Sequence, residues 1–489
     1  MNRKISRKSI IAIVMDLMWL CLLMGLSAFN PDEYKAVFVI MTIVHIGLLI
    51  TWIKSHGNVF NYFSIILLLS YIYYFGQYLL VFFDIENKRQ FTILNTYTPT
   101  TINRAAIYLE VNMIVLHAFT VLFQKPVKKL TDNSSEYKGR KVNINVFRYV
   151  SLALLIVSFV CEVFLLIFKI KLNVTQGYGV ALNTNYSGAG AFSHIVNFGS
   201  TLFLPALFAS FVSTKGKRKA TVFVWTIYIV FIALYFMSGS RFEAVVSLAG
   251  VCLYYNCYCK KIDLKKLVLI ALVGVAVLYV CSLLSNVRRI TNYGKNNSAS
   301  QILNEAIHDT NEDNIFTDVI STAGMQVLTV TAVYDNCPSE IPYSYGEYYL
   351  FGILRIIPNV TGGTNIFITD SIDTMFRKFL TVTYGMGSSF IIEAYYNFGY
   401  AGILMMVLYG ALIAYLVNFM ENRQKQEENL VLTYFVYYIA ATSFFWIRSD
   451  ARFLVREIVF YYWGIKILTM CVQGTFFRNI ERNNERIGI

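Results

Sequence analysis

The sequence predicts an all-α polytopic membrane protein of about 12 transmembrane helices, and three observations carry that prediction. Of 489 residues, 56% are hydrophobic and only 15% charged, whereas an average soluble domain is about a quarter charged. Apolar runs of about 20 residues recur along the chain, each long enough at about 1.5 Å per residue to cross about 30 Å of hydrocarbon. The basic residues behind the net charge of +13 cluster in the gaps between those runs. A basic total in a soluble chain would suggest nucleic acid, but this placement is that of topology signals.

In chain order the runs fall at 10–28, 35–53, 59–83, 105–123, 147–168, 193–213, 220–237, 243–258, 267–285, 389–418, 430–447 and 458–475. The first follows a basic flank, yet its core is too long for a signal peptide and lacks a small-x-small cleavage site, so it reads as a retained helix. With the N-terminus in the cytoplasm, strict alternation puts the basic clusters at 3–8, 125–141, 215–219, 260–266 and 478–486 on the inner side, together with both termini. The outer side receives 30–34, 84–104, 169–192, 238–242, 286–388 and 448–457. Residues 1–285 therefore form helices 1–9, 286–388 a large extracytoplasmic loop, and 389–489 helices 10–12 with a cytoplasmic tail. A loop of about 100 residues is far beyond the usual length for a structureless connection, so it is expected to fold into an outer layer. Within it, 301–310 and 320–333 read as helical, and Pro338, Pro342, Pro358 and Gly362-Gly363 punctuate turns. Most of the eight cysteines, including Cys21, Cys161, Cys252, Cys281 and Cys471, lie in apolar runs, and Cys337 is isolated in a polar segment. No spacing supports a disulfide framework or a zinc site.

Chemistry is sought on the outer side, because arginines there run against the positive-inside bias. Arg241, Arg288, Arg289, Arg355, Arg377, Arg448, Arg452 and Arg456 all fall on it. A guanidinium presents a planar fork of donors matched to phosphate oxygens, which points to an anion such as a lipid pyrophosphate. The competing reading is that these groups snorkel to headgroups or pair with Asp313, Asp370, Asp373, Asp450 and Glu457. Arg241 sits in the tight turn Met237-Ser-Gly-Ser-Arg-Phe-Glu243, facing either a site or Glu243. Arg448, Arg452 and Arg456 are spaced by four, which on a helix makes one basic stripe.

Glu393 lies about one turn inside the tenth run, where an ionisable group is costly and normally faces protein. It is a candidate general base or the partner of an outer arginine. The neighbouring Gly385, Gly387, Gly399 and Gly402 suit close packing or a bent entry better than phosphate binding. His308 in the long loop is a candidate proton acceptor or a solvated polar residue. The tyrosine-rich strings 71–78 and 343–349 read as interfacial belts, with sugar stacking as the alternative.

Four features resemble the bacterial oligosaccharide repeat-unit polymerases, the Wzy-type or O-antigen polymerase family. They are the Ser238-Gly-Ser-Arg241 turn, the single large outer loop, the stretch Gly385-x-Gly-x-Ser…Glu393-x-Tyr-x-Asn397-Phe-Gly399-x-x-Gly402, and Arg448-Ser-Asp-x-Arg452. The resemblance implies a GT-C-like membrane glycosyltransferase in the bacterial cytoplasmic membrane, acting at its outer face. Its donor and acceptor would be undecaprenyl-diphosphate-linked oligosaccharides, and it would need no metal or other cofactor, in keeping with the absence of an Asp-x-Asp motif from the outer loops. A chain-length regulator is a further implied partner. In such an enzyme Arg241, Glu393 and His308 would be catalytic, and Arg288, Arg289, Arg355, Arg377, Arg448, Arg452 and Arg456 would bind the diphosphate. Two other functions share parts of the pattern: a polysaccharide ligase using the same donor, and a flippase or secondary transporter. A two-fold repeat would favour the transporter, and none is present.

Overall fold

The computed structural model describes residues 6–28, 32–83, 85, 96–125, 142–176, 186, 191–238, 241–262, 315–357, 370–381 and 387–475, with isolated positions from 265 to 308. These residues are helical or irregular, with no strand among them. Among the described residues, eight helices are long and apolar enough to span a bilayer: Arg7–Ala28, Tyr34–His56, Tyr62–Phe82, Pro99–Phe123, Ile144–Asn173, Arg218–Ser238, Phe390–Met420 and Leu430–Ile447. The protein is thus a polytopic membrane protein, all-helical in its described regular structure. The helices run as α1 (Arg7–Ala28), α2 (Tyr34–His56), α3 (Tyr62–Phe82), α4 (Pro99–Phe123), α5 (Ile144–Gln176), α6 (Ala191–Thr201), α7 (Phe203–Thr214), α8 (Arg218–Ser238) and α9 (Arg241–Tyr254). After them come α10 (Ile315–Gly324), α11 (Gln326–Asn336), α12 (Glu347–Leu354), α13 (Ile372–Phe379), α14 (Phe390–Phe398), α15 (Met405–Met420), α16 (Arg423–Glu428), α17 (Leu430–Ser443) and α18 (Leu454–Glu457).

Several expected spans differ in form. The run at 193–213 is broken into α6 and α7, bent by 43°. Pro205, on the third position of α7, has no N–H to continue the ladder back into α6. The run at 243–258 is a shorter apolar helix, Ala244–Cys259, that closes in a π turn. The last run starts four residues early at Leu454 and passes through a second π turn, Ile458–Gly464. The ninth expected span, 267–285, lies outside the described residues apart from isolated positions. In the long loop, the expected helix at 320–333 is two helices, α10 and α11, and α12 and α13 join them.

Local sequence explains the helix ends. Asn61 accepts from the Ser64 amide at 3.0 Å and Thr98 from the Thr101 amide at 3.3 Å, with Pro99 at the first position of α4. Gly57 closes α2 in the left-handed conformation.

The chain forms two compact units. The first comprises Met1–Asn133, Glu312–Glu421 and Ser443–Phe453. Here α10 packs on α3 through facing glycines: a side chain on Gly76 would come within 2.7 Å of the Ile320 carbonyl, and one on Gly324 within 2.5 Å of the Gln77 amide. Gln77 seals the contact by donating to Ser321 O and Oγ at 2.9 and 3.0 Å. In the same way Gly410 lets α15 lie against Leu116 and Phe119 of α4. Three histidines inside this unit face carboxylates: His117–Asp16 at 2.8 Å, His45–Glu110 at 3.0 Å and His56–Glu421 at 2.6 Å. None of these pairs was expected from the sequence, because each joins residues far apart along the chain.

The second unit comprises Ser134–Asn311, Asn422–Thr442 and Leu454–Ile489. Gly199 of α6 lies on Cys161 of α5, and Gly250 of α9 on Ala441 of α17. Hydroxyls tie the helices to one another's backbone, as in Tyr254 to the Phe211 carbonyl at 2.8 Å and Tyr434 to the Tyr461 carbonyl.

Candidate active site

The most densely charged buried cluster described in the first unit is built around the entry to α14. Gly387 has φ +77°, a left-handed conformation that a residue with a side chain rarely adopts. It turns the chain so that the Ser389 hydroxyl caps α14, accepting from the Ile392 amide at 3.2 Å. Two further contacts pin this entry: the Gly387 amide donates to Asp373 Oδ1 at 2.7 Å, and the Ser388 amide to the Arg448 carbonyl at 2.9 Å. The Gln326 amide group donates to the Ser388 carbonyl.

This entry aims Glu393, in the first turn of α14, into the protein, where it is fully buried. Its Oε2 accepts the Ala451 amide at 2.7 Å, while Oε1 has no hydrogen-bond partner. A carboxylate near a helix N-terminus is favoured by the helix dipole, which offsets part of the burial cost. The helix Phe390–Met420 has 31 residues, about 46 Å long against about 30 Å of hydrocarbon.

Asp450 and Arg452 complete the cluster, and both are buried. Asp450 Oδ2 accepts the Tyr348 hydroxyl and lies 3.6 Å from Arg452 Nε. Burial pushes the Asp450 carboxyl above the usual carboxylate range, against the opposing pull of the Arg452 guanidinium and the Tyr348 hydrogen bond. Burial, reinforced by Asp450, likewise drives the Tyr348 phenol far above its ordinary value, so it remains a donor. The Arg452 guanidinium stacks 3.9 Å over the Tyr348 ring and 4.9 Å from Phe453. Gly352 makes this approach possible, since a Cβ there would meet the Arg452 carbonyl at 2.6 Å.

The structure brings some of the expected residues together. Glu393 and Arg452 share the cluster, and Arg448 contributes its carbonyl and lies half-buried against Gly387. Arg377 pairs with Asp373 at 3.3 Å, and Arg355 stacks 5.1 Å over Phe453. The ion pairs of Arg377 and Arg452 are those the competing reading named, and here they form part of one charged network. Arg241 begins α9, its side chain outside the described residues, as are Arg288 and Arg289. His308 is exposed at the end of a short helical stretch, and Arg456, in the second unit, lies 5.9 Å from the Phe460 ring.

The stripe expected of Arg448, Arg452 and Arg456 does not form. The 3-10 turn Phe445–Ile447 ends at Arg448, and no helix resumes before Leu454. Tertiary contacts take backbone groups a helix would need: Ser388 claims the Arg448 carbonyl and Glu393 the Ala451 amide, while Tyr348 holds the Asp450 side chain.

Sequence reasoning passed over Tyr348 and gave Asp450 only as an ion-pair partner. Tyr348 was hidden in a tyrosine string that reads as an interfacial belt. The available signal for Asp450 was its place between two arginines in a short polar segment.

Chemically, the cluster sets a buried carboxylate oxygen with unspent accepting capacity beside a fixed guanidinium. That combination suits taking a proton from a hydroxyl while holding negative charge nearby. Residues 9–479 match the family model described as O-antigen polysaccharide polymerase Wzy. No curated protein and no solved structure matches the chain.

Proposed function

The chain belongs to the O-antigen polysaccharide polymerase Wzy family, and from that premise we propose that it joins undecaprenyl-diphosphate-linked oligosaccharide repeats at the outer face of the bacterial cytoplasmic membrane. It does so as a metal-independent, GT-C-type glycosyltransferase of about twelve spans, with both termini in the cytoplasm and residues 286–388 contributing an outer layer. A hydroxyl of the incoming repeat attacks the anomeric carbon of the growing chain. The new glycosidic C–O bond forms as the bond to the diphosphate oxygen breaks, and the hydroxyl proton passes to Glu393. The electron pair of the broken bond leaves on undecaprenyl diphosphate, whose charge is met by arginine. Arg452 is the best-placed guanidinium for this, with Arg355, Arg377 and Arg448 around it. Arg241, Arg288, Arg289 and Arg456 are further candidate diphosphate ligands on the outer side. His308 serves as a further proton acceptor, and a chain-length regulator is the expected protein partner.

The observation that carries this reading is the buried Glu393 Oε1, left without a hydrogen-bond partner next to Asp450 and Arg452. An unmade hydrogen bond at that depth costs about 1–3 kcal/mol, and within the cluster Asp450 Oδ1 is likewise without a partner. Arg452 and Arg241 test the diphosphate half of the proposal. With either Arg452→Lys or Arg241→Lys the protein remains in the membrane, long polysaccharide disappears and single lipid-linked repeats accumulate. Normal chain length in one of these variants removes that arginine from the mechanism. Accumulation of long lipid-linked chains indicates ligase chemistry instead.

A further inference from the structure

Five tyrosines from separated parts of the first unit converge on one patch. Tyr108 comes from α4, Tyr334 from α11, Tyr343 from the loop before α12, Tyr395 from α14 and Tyr400 from the 3-10 turn that follows it. Ring centroids lie 5.0 Å apart for Tyr108–Tyr395, 5.4 Å for Tyr334–Tyr395, 5.7 Å for Tyr395–Tyr400 and 5.8 Å for Tyr343–Tyr395. The hydroxyls of Tyr334, Tyr343, Tyr395 and Tyr400 bind one another or the backbone. Tyr334 and Tyr400 meet at 2.8 Å, and Tyr395 donates to the Cys337 carbonyl at 3.3 Å. Interfacial belt tyrosines act singly, each sending its hydroxyl to water or headgroup. A packed group with interlinked hydroxyls is a different object.

The patch is held open at some cost. Tyr345, whose ring lies 6.2 Å from Tyr343, has φ +47° and is 79% exposed. A bulky residue in that conformation is strained, and such strain persists where the surroundings enforce it. Here the enforcement is visible: the Ser344 amide donates to the Tyr396 carbonyl at 2.9 Å, and Gly346 follows at φ +90° against Phe398. Gly399, φ +58°, makes room for the Tyr343 ring, which a Cβ would meet at 2.9 Å. Tyr400 is also largely exposed, at 63%. Buried and half-buried rings thus support two exposed ones, Tyr345 and Tyr400, the second sharing its hydroxyl with Tyr334.

We propose that Tyr345 and Tyr400, backed by Tyr334, Tyr343 and Tyr395, form a glycan-binding platform that holds sugars of the oligosaccharide away from the reacting bond. Apolar sugar faces stack on the rings, and the tyrosine hydroxyls bond to sugar hydroxyls. The platform rests on the polymerase reading only for its occupant. Tyr395 follows Glu393 by two residues, about 200° around α14, so the platform and the carboxylate lie on opposite faces of one rigid helix. Bound sugars are therefore positioned by the platform without touching the chemistry. Tyr345 and Tyr400 are positioning residues, and their loss raises KM and shortens the polymer while leaving kcat nearly unchanged.

The probe is the oligosaccharide freed by mild acid from lipid-linked repeats that accumulate when the gene is disrupted. Its binding to full-length protein in detergent is followed by saturation-transfer NMR. Wild type and Glu393→Gln should bind alike. Replacing Tyr345 and Tyr400 together by Ala should weaken binding about tenfold, the loss of two stacking contacts, and replacing both by Phe should restore most of it. Both side chains are exposed, so the folded protein should survive, and an unchanged thermal melt checks this. Undiminished binding by the double Ala variant, or no binding by wild type, overturns the platform. Wild type that binds this oligosaccharide but forms no polymer from lipid-linked repeats keeps the platform and overturns the polymerase reading.

Discussion

Glu110 and Glu393 are both fully buried carboxylates in the first unit, and their surroundings differ. Glu110 faces His45 with both oxygens, at 3.0 and 3.2 Å, and His45 passes its other ring nitrogen to the Leu67 carbonyl at 2.8 Å. Every polar atom of that pair is used. Glu393 spends one oxygen on the Ala451 amide and keeps the other, next to a second carboxylate and a guanidinium. A pair that closes on itself holds helices together and has nothing left for a substrate. The open arrangement is the costlier one, and strained or unsatisfied groups of this kind concentrate at functional sites. On the proposed function, the two glutamates divide a structural role from a chemical one within a single compact unit.

The sharpest way to break this contrast is to neutralise each glutamate. Glu393→Gln keeps size and packing but removes the proton acceptor, and polymerisation in membranes should fall by about 10²-fold or more, the scale of general-base catalysis, at unchanged protein level. Glu110→Ala should do the reverse. It leaves His45 buried without its partner, a loss of about 3–5 kcal/mol. The amount of folded protein recovered in detergent should drop sharply, with activity per folded molecule retained. Normal amounts of Glu110→Ala would remove the structural half of the comparison. Gly399→Ala probes the element that carries Glu393: its φ of +58° and the Tyr343 ring at 2.9 Å from a new Cβ predict a lower thermal midpoint, from about 1–3 kcal/mol of strain. The smallest effect is expected at Arg377. Its ion pair with Asp373 is partly exposed, so Arg377→Ala should cost no more than about 1 kcal/mol of stability. Its activity should fall only a few-fold, mainly as a raised KM.

How much of this was legible beforehand follows from the range of the interactions. Spans such as 10–28 and 35–53 emerge close to their structural bounds because twenty apolar residues are a local signal. The break before Phe203 was less readable, since Pro205 sits in an otherwise continuous apolar run. Glu393 stood out because an acid in an apolar helix is rare, and Arg452 because strict alternation of the expected spans sets it against the positive-inside bias. Tyr348, Asp450 and the pair His45–Glu110 were hidden for one reason. Each gains its meaning from a partner far along the chain: 65 positions separate His45 from Glu110, and 102 separate Tyr348 from Asp450. The Arg448–Arg452–Arg456 spacing misled because a four-residue period implies a helix only where nothing else claims the backbone, and Ser388 and Glu393 claim it here.

The most direct test is polymerisation by purified protein in detergent, supplied with lipid-linked repeats and read as a ladder on a gel. Wild type should extend the repeats into a ladder, and Glu393→Gln should leave them single while melting at the wild-type temperature. A ladder of normal length and rate from Glu393→Gln would contradict the assignment of this buried carboxylate as the group that takes the proton.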